Sequence, residues 1–266
     1  MTVFQKLIWD FYAKNKRNFP WRKTQDPYKI MVSELMLQQT QTFRVLPKYE
    51  AFLNKFPTIQ KLAQSQISDV LALWSGLGYN RRAKFLHQAA VYVTENLNNV
   101  FPQTEKELQK IPGIGPYTAA SILVFSYNQP LNFIETNIRR VFIHHFFKDQ
   151  ENISDRQLFP LIEQELDKKN SREWYYALMD YGAELAKQIP NPNRKSKHYN
   201  KQSKFKGSIR KLRGEIIRQL IAHKIITQTQ LKKYIPNETE ERIIEALEGL
   251  KKDNMVTQNN SQIKLK

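Results

Sequence analysis

The chain has 266 residues, with 42 Lys and Arg against 25 Asp and Glu, a formal net charge of +17, and no cysteine. The missing thiols exclude a disulfide framework, a cysteine-based zinc finger, a thiol nucleophile and a cysteine-ligated iron–sulfur cluster. A hydrophobic fraction of 41% with 12% aromatic residues is enough for a packed core despite the charge, and the cationic surplus points to a polyanionic partner, either nucleic acid or an acidic membrane surface.

The opening stretch MTVFQKLIWDFYAKNKR is interrupted by Gln5, Lys6 and Asp10, so it lacks the apolar run of a secretory signal. Nowhere do 18 apolar residues follow one another. The expectation is a soluble, cytoplasmic protein with no membrane attachment. Apolar residues three and four apart predict helices over 4–15, 28–41, 46–56, 59–64, 67–73, 80–96, 105–110, 117–125, 137–147 and 155–167, and another ending near Ala186. Strand-like alternation is scarce before residue 255, which implies an all-α array of short helices around one or two cores.

After Ala186 the composition changes. From Lys187 to Arg213 the charged residues are all basic, including Arg194, Lys195, Lys197, Lys201, Lys204 and Lys206. Pro190, Pro192, Asn191, Asn193 and Gly207 make this a loop rather than a regular helix. Tyr199 and Phe205 among the cations favour an ordered segment that tracks phosphates over a solvated linker. Residues 208–266 read as a small separate unit: helices over 208–223, from a cap at Thr227 to Tyr234, and over 238–252, then two short strands around a turn. That order is winged-helix-like, an α+β module. Its third helix carries Glu238, Glu240, Glu241, Glu245 and Glu248, which oppose phosphate and favour docking to a partner over base readout.

Three clusters bear chemistry. In Ser33–Gln41 (SELMLQQTQ), Glu34, Gln38 and Gln41 are spaced to share one face of an otherwise apolar helix. A lone acid there is either a paired surface glutamate or, in an apolar cleft, a carboxyl of raised pKa able to donate a proton. In Ile111-Pro112-Gly113-Ile114-Gly115-Pro116-Tyr117-Thr118, two glycines make a tight turn between two helices, whose amides and helix N-terminus suit a phosphate. It lacks the Lys-Ser/Thr of a nucleotide P-loop, and no strand precedes it. Third, Glu135 opens a helix followed by Asn137, Arg139 and Arg140; the plain alternative is an N-terminal helix charge. His144, His145 and Asp149 do not suggest a metal, because adjacent helical histidines point about 100° apart.

SELMLQQTQ, LWSGLGY with RAKFLHQAA, IPGIGPYTAAS, and NIRRVF followed by ALMDYGAEL occur in the order and spacing of the A/G-specific adenine DNA glycosylases of the helix-hairpin-helix (HhH-GPD) superfamily. The resemblance covers about residues 5–186. It implies a two-lobed glycosylase core over 1–186, with a helical barrel and hairpin over about 28–131 and a second lobe from 1–27 plus 132–186. The basic segment 187–207 and the winged-helix-like module 208–266 follow.

By this resemblance Glu34 falls on the general acid that protonates adenine N7, and Glu135 falls where the family has an aspartate that stabilises the cationic sugar and activates water. Asn137 supports that carboxylate. Tyr117 stands where strand-cutting relatives hold a nucleophilic Lys, which implies a monofunctional glycosylase. Trp21 and Arg22 resemble the edge of the base pocket and Gln38 the duplex-inserting wedge. Gln41, Asn80, Arg81, Gly113, Gly115 and Arg139, with Lys195, Lys197 and Lys201, make up the DNA-contacting set, and Arg82 is a further backbone-holding cation. The target base is flipped from the duplex, most cheaply at a mismatch.

Family members usually ligate an iron–sulfur cluster through four Cys beginning near Ala186. All four are absent, so no cofactor or metal is expected, and the basic segment is expected to replace the cluster loop. The implied protein is a monomer acting on double-stranded DNA with a mismatched or damaged base, releasing adenine opposite 8-oxoguanine or guanine in base excision repair. Its rivals are a glycosylase for thymine or uracil opposite guanine and a catalytically silent DNA-binding protein. The C-terminal module docks DNA or protein.

Overall fold

The computed structural model describes residues 1–201 and 207–266. In chain order the elements are α1 Val3–Asn15, α2 Pro27–Leu37, α3 Thr42–Lys55, α4 Ile59–Ala63, α5 Ile67–Trp74, α6 Arg81–Asn96, α7 Glu105–Leu108 and α8 Pro116–Tyr127. They continue with α9 Thr136–Phe146, α10 Asp155–Glu165, α11 Ser171–Gln188, α12 Ile209–His223, β1 Ile225–Thr227, α13 Gln228–Tyr234, α14 Glu240–Lys252, β2 Val256–Asn259 and β3 Gln262–Leu265. No helix of the described residues is long and apolar enough to cross a membrane.

The first of two compact units contains Met1–Ile30, Pro102–Lys110 and Ile114–Lys201. Its centre is α8, where every residue from Thr118 to Ser126 is buried. A helix apolar on all sides must be enclosed, and its ends are set by local chemistry. Gly115 caps it, Pro116 occupies the first turn where its missing N–H costs nothing, and Asn128 ends it in the left-handed region at φ 56°. Helix α11 packs on α9 and α1. Its Tyr175 ring stacks on Phe133 at 4.1 Å and its Tyr176 ring on Phe125 at 4.6 Å.

The start of the basic segment is fastened to this unit. A 3-10 turn at Pro192–Lys195 buries Pro192 and Asn193, the Ile153 amide donates to the Lys195 carbonyl, and the Lys197 amide donates to the Ile153 carbonyl, both at 2.8 Å. Asn193 Nδ2 donates to the Thr136 carbonyl at 3.0 Å. The segment is therefore a strap fastened as far as Tyr199, whose amide donates to the Ser196 carbonyl at 3.0 Å, while Lys204, Phe205 and Lys206 lie outside the described residues.

The second unit contains Met31–Phe101, Ile111–Gly113 and Gln202–Lys266. Helix α6 packs on α4 and α5. The C-terminal residues belong to this unit, with α12 against α14 and α5. The three strands form an antiparallel sheet in the order β1-β3-β2, with Ile226 opposite Ile263. Leu212, Ile216, Leu220, Ile243, Leu247 and Ile263 fill its core. Thr227 caps α13 in a reciprocal box with Gln230.

Two sequence expectations change. Helix α2 stops at Leu37: the Thr40 amide turns back to the Leu37 carbonyl and Gln39 takes φ 53°. Gln41 then caps the next helix, α3, so it does not share the helical face of Glu34. The short strand β1 was not visible in the pattern, because its three residues alternate for barely one period.

Candidate active site and nucleic-acid interface

Glu34 is 6% exposed, on a stretch of α2 where Ile30, Met31, Val32, Leu35 and Met36 are all buried. It is therefore a buried acid on a mostly apolar helix, with Ser33 buried beside it in sequence. Glu135, half-buried in the other unit, is the N-cap of α9. Its Oε1 accepts from the Asn137 amide at 2.7 Å and the Ile138 amide at 2.8 Å, and its Oε2 accepts from Asn137 Nδ2 at 3.2 Å. Burial pushes its carboxyl above the ordinary glutamate value of 4.5, while those two amides and the Arg140 and Arg139 cations oppose the shift. The helix-cap reading and the catalytic reading are thus compatible, because the amides that satisfy the helix end also fix the carboxylate.

Asn137 is held in turn. Its Oδ1 accepts from Arg140 Nη1 at 2.6 Å, and the same nitrogen donates to the Gly182 carbonyl at 2.8 Å. A Cβ on Gly182 would lie 2.6 Å from the Asn137 carbonyl oxygen, so only glycine lets α11 approach α9 this closely. Sequence reasoning missed both Arg140 and Gly182 as supports of Glu135. The signal was present in the ALMDYGAEL motif, but its packing role was not legible. Tyr117 is half-buried, its ring 5.6 Å from that of Phe133, two residues before Glu135.

Trp21 and Arg22 are less open than a pocket edge suggests. Trp21 is 5% exposed and stacks on Phe19 at 4.8 Å. Arg22 makes a two-pronged ion pair with Asp180, at 2.8 and 2.7 Å. Asp180, 2% exposed, also accepts from the Arg17 amide and Nε at 2.9 and 2.5 Å. This buried anion, unmarked in the sequence reading, locks the 3-10 turn at Pro20–Arg22 onto α11.

The expected DNA-contacting residues fall into three groups. Gln38, Asn80, Arg81 and Gly113 line one cavity of about 670 Å³ in the second unit. Gly113 has φ 80°, and a Cβ there would collide with Phe85, so both backbone and space require glycine; Gly115 is exposed at the start of α8. Lys197 and Lys201 are exposed on the strap, whereas Lys195 Nζ donates to the Lys148 carbonyl at 2.5 Å and lies 3.7 Å from Glu151. Arg139 is committed to Asp155 through two bonds of 2.9 and 2.8 Å.

Arg82 is corrected. It is 7% exposed and donates to the carbonyls of Leu35, Met36, Gln38 and Gly78, at 2.7, 3.0, 2.5 and 3.0 Å. It braces the end of α2 and holds no external phosphate.

No group of three or more His, Cys, Asp and Glu among the described residues is arranged to hold a metal. His145 instead bonds the Tyr181 hydroxyl at 3.0 Å, and burial lowers it to about 4. After Ala186 there is no thiolate for a cysteine-ligated cluster, so the residues present do not fit that group.

Residues 32–165 match the family described as HhH-GPD superfamily base excision DNA repair protein. Curated relatives named "Adenine DNA glycosylase" include one from Buchnera aphidicola subsp. Schizaphis graminum, 36% identical over 68% of this chain and 53% of its own length. Another, from Homo sapiens, is 33% identical over 69% of this chain and 36% of its own length. A solved structure titled as a thermostable thymine-DNA glycosylase aligns with a TM-score of 0.62 and 26% identity, over 68% of this chain and 85% of that one. An endonuclease III trapped on DNA aligns at a TM-score of 0.56 with 14% identity, over 67% of this chain and 85% of that one, and shows the shared fold.

The chain belongs to the HhH-GPD superfamily of base excision DNA repair proteins. It spans about half the length of the curated relative from Buchnera and less of the human one.

Proposed function

We propose that the protein is a monofunctional DNA glycosylase that hydrolyses the N-glycosidic bond of a flipped, mispaired adenine in double-stranded DNA. The observation that carries this reading is the buried Glu34 on an apolar helix, in a chain 32–40% identical to the curated relatives named adenine DNA glycosylase. Adenine is a poor anionic leaving group. A proton delivered by this carboxyl lets it depart neutral. Glu135, carried by two amides and Asn137, stabilises the cationic sugar and orients water. Tyr117 offers no amine for a Schiff base, which favours simple hydrolysis over strand scission.

In this reading the glycosylase core is 1–186, the basic segment 187–207 takes the place of a cluster loop without metal, and 208–266 is the added module. The exposed Lys197 and Lys201 and the hairpin glycines grip the DNA backbone. The opposing base is 8-oxoguanine or guanine, the protein acts as a monomer, and its setting is the nucleoid. A second reading, thymine or uracil release opposite guanine, is favoured by the 26% identity to the solved thymine-DNA glycosylase.

A single-turnover panel on duplexes carrying A, T, U or hypoxanthine opposite G, C or 8-oxoguanine separates them. Adenine release is the expected result. Thymine or uracil release alone selects the second reading, and no release from any duplex selects a silent DNA-binding protein.

A further inference from the structure

The cavity that gathers Gln38, Asn80 and Gly113 has a second wall, which the family resemblance does not reach. That wall is α12. Arg210, Arg213, Gly214, Ile217, Arg218 and Ile221 line it at intervals of three and four residues, so one face of the helix is presented. Apart from Arg82, which is committed to carbonyls of its own unit, the lining holds five basic side chains, counting Arg81 and Lys211, and a single acid, Asp253.

Asp253 acts as a latch. Its carboxylate accepts from Arg213 and lies 3.5 Å from Arg81, and its carbonyl accepts from Lys84 Nζ at 2.7 Å. The wall is thereby held against α6 in a fixed setting.

Gly214 is the informative residue. It sits inside a 15-residue helix, where glycine is less favourable than any residue but proline. Its helical backbone does not need glycine, and a Cβ there would meet nothing within 4 Å among the described residues. No packing among the described residues accounts for it. What the bare backbone leaves is open space between cations, a setting for a close-approaching phosphodiester.

We propose that α12 is a second DNA-contacting element, its Arg210–Arg218 face and the Gln38, Asn80, Gly113 rim forming one groove for a backbone segment of the bound duplex. This differs from the winged-helix expectation, in which the third helix reads DNA. That helix, α14, turns Glu240, Glu241, Glu245 and Glu248 outward, so it repels phosphate while α12 attracts it. The proposal rests on the reading of the protein as a DNA glycosylase.

The test measures affinity of the full chain for a labelled duplex with adenine opposite 8-oxoguanine, across a salt series. Glu34→Gln is included in every variant to prevent turnover. Gly214→Leu should keep or raise the melting temperature, because leucine is the better helix former, yet weaken binding tenfold or more by filling the groove. Lys211→Ala/Arg218→Ala should lower the log–log salt slope by about two. Lys233→Ala/Lys252→Ala, on α13 and α14, should change neither.

Wild-type affinity and slope in the first two variants would overturn the proposal, and so would tighter binding by Gly214→Leu, which would make the face a lid. Base release by the chain with Glu34 intact is scored separately. Release with unchanged slopes removes the groove alone, whereas absent release with altered slopes removes the glycosylase reading and leaves the groove standing.

Discussion

Replacing Gly182 by alanine adds one methyl group at the point where α11 meets α9. The added carbon would lie 2.6 Å from the Asn137 carbonyl oxygen and 2.8 Å from its Cβ, against about 3.4 Å for ordinary contact, so the two helices must part by about 0.8 Å. Overpacking of this kind costs about 1–3 kcal/mol. In a chain of this length that is a fall in Tm of roughly 2–12 °C. The movement also pulls Arg140 away from either the Gly182 carbonyl or Asn137 Oδ1, its two acceptors at 2.8 and 2.6 Å. Asn137 then no longer holds Glu135. Misplacing a reacting group by about 1 Å can cost on the order of 100-fold in rate. Base release measured with enzyme in excess should therefore slow about 10- to 100-fold, with duplex affinity within a few-fold of wild type. A Gly182→Ala protein with unchanged Tm and release rate would refute the claim that this close approach positions the carboxylate.

Asp180→Ala leaves the 6%-exposed Arg22 side chain without its anion and should destabilise the fold by about 3–5 kcal/mol; Asp180→Ala/Arg22→Met should recover much of that in thermal melts. Because burial raises the Glu135 pKa in the folded state, its contribution to stability is fully present below the unfolded value of 4.5 and is lost as pH rises through the folded value. Lowering the pH from 7 toward 4.5 should therefore shift the Tm difference in favour of wild type over Glu135→Gln. In the proposed mechanism the rate needs the ionised form, so its acid limb should lie above 4.5 and vanish in that variant; a limb that stays would assign it elsewhere. Lys197→Ala/Lys201→Ala should reduce the salt slope of DNA binding by about one for each phosphate no longer neutralised, whereas an unchanged slope would make the strap a passive fastening.

Much of the helical order was legible because α1, α6 and α10 keep their apolar spacing and carry ordinary caps or breaks at their ends. The end of α2 was not. Gln39 in the left-handed region is what stops it, and glutamine carries no sequence mark for that conformation. The carboxylates and the hairpin glycines stood out through motif, yet the supports of Glu135 did not, since a glycine chosen for helix approach looks like any other glycine. Arg82 shows the reverse error: a cation beside a glycine loop reads as a phosphate ligand until both its terminal nitrogens are found donating to groups of its own unit. The groove on α12 arises from residues distant in sequence, which no local pattern encodes.

In the proposed function the buried Glu34 protonates a departing adenine. Single-turnover release of adenine opposite 8-oxoguanine or guanine, by wild type and by Glu34→Gln, tests it directly. Wild type should release adenine and the variant should lose about 100- to 10,000-fold in rate, with duplex affinity preserved. Equal rates in the two proteins would contradict it.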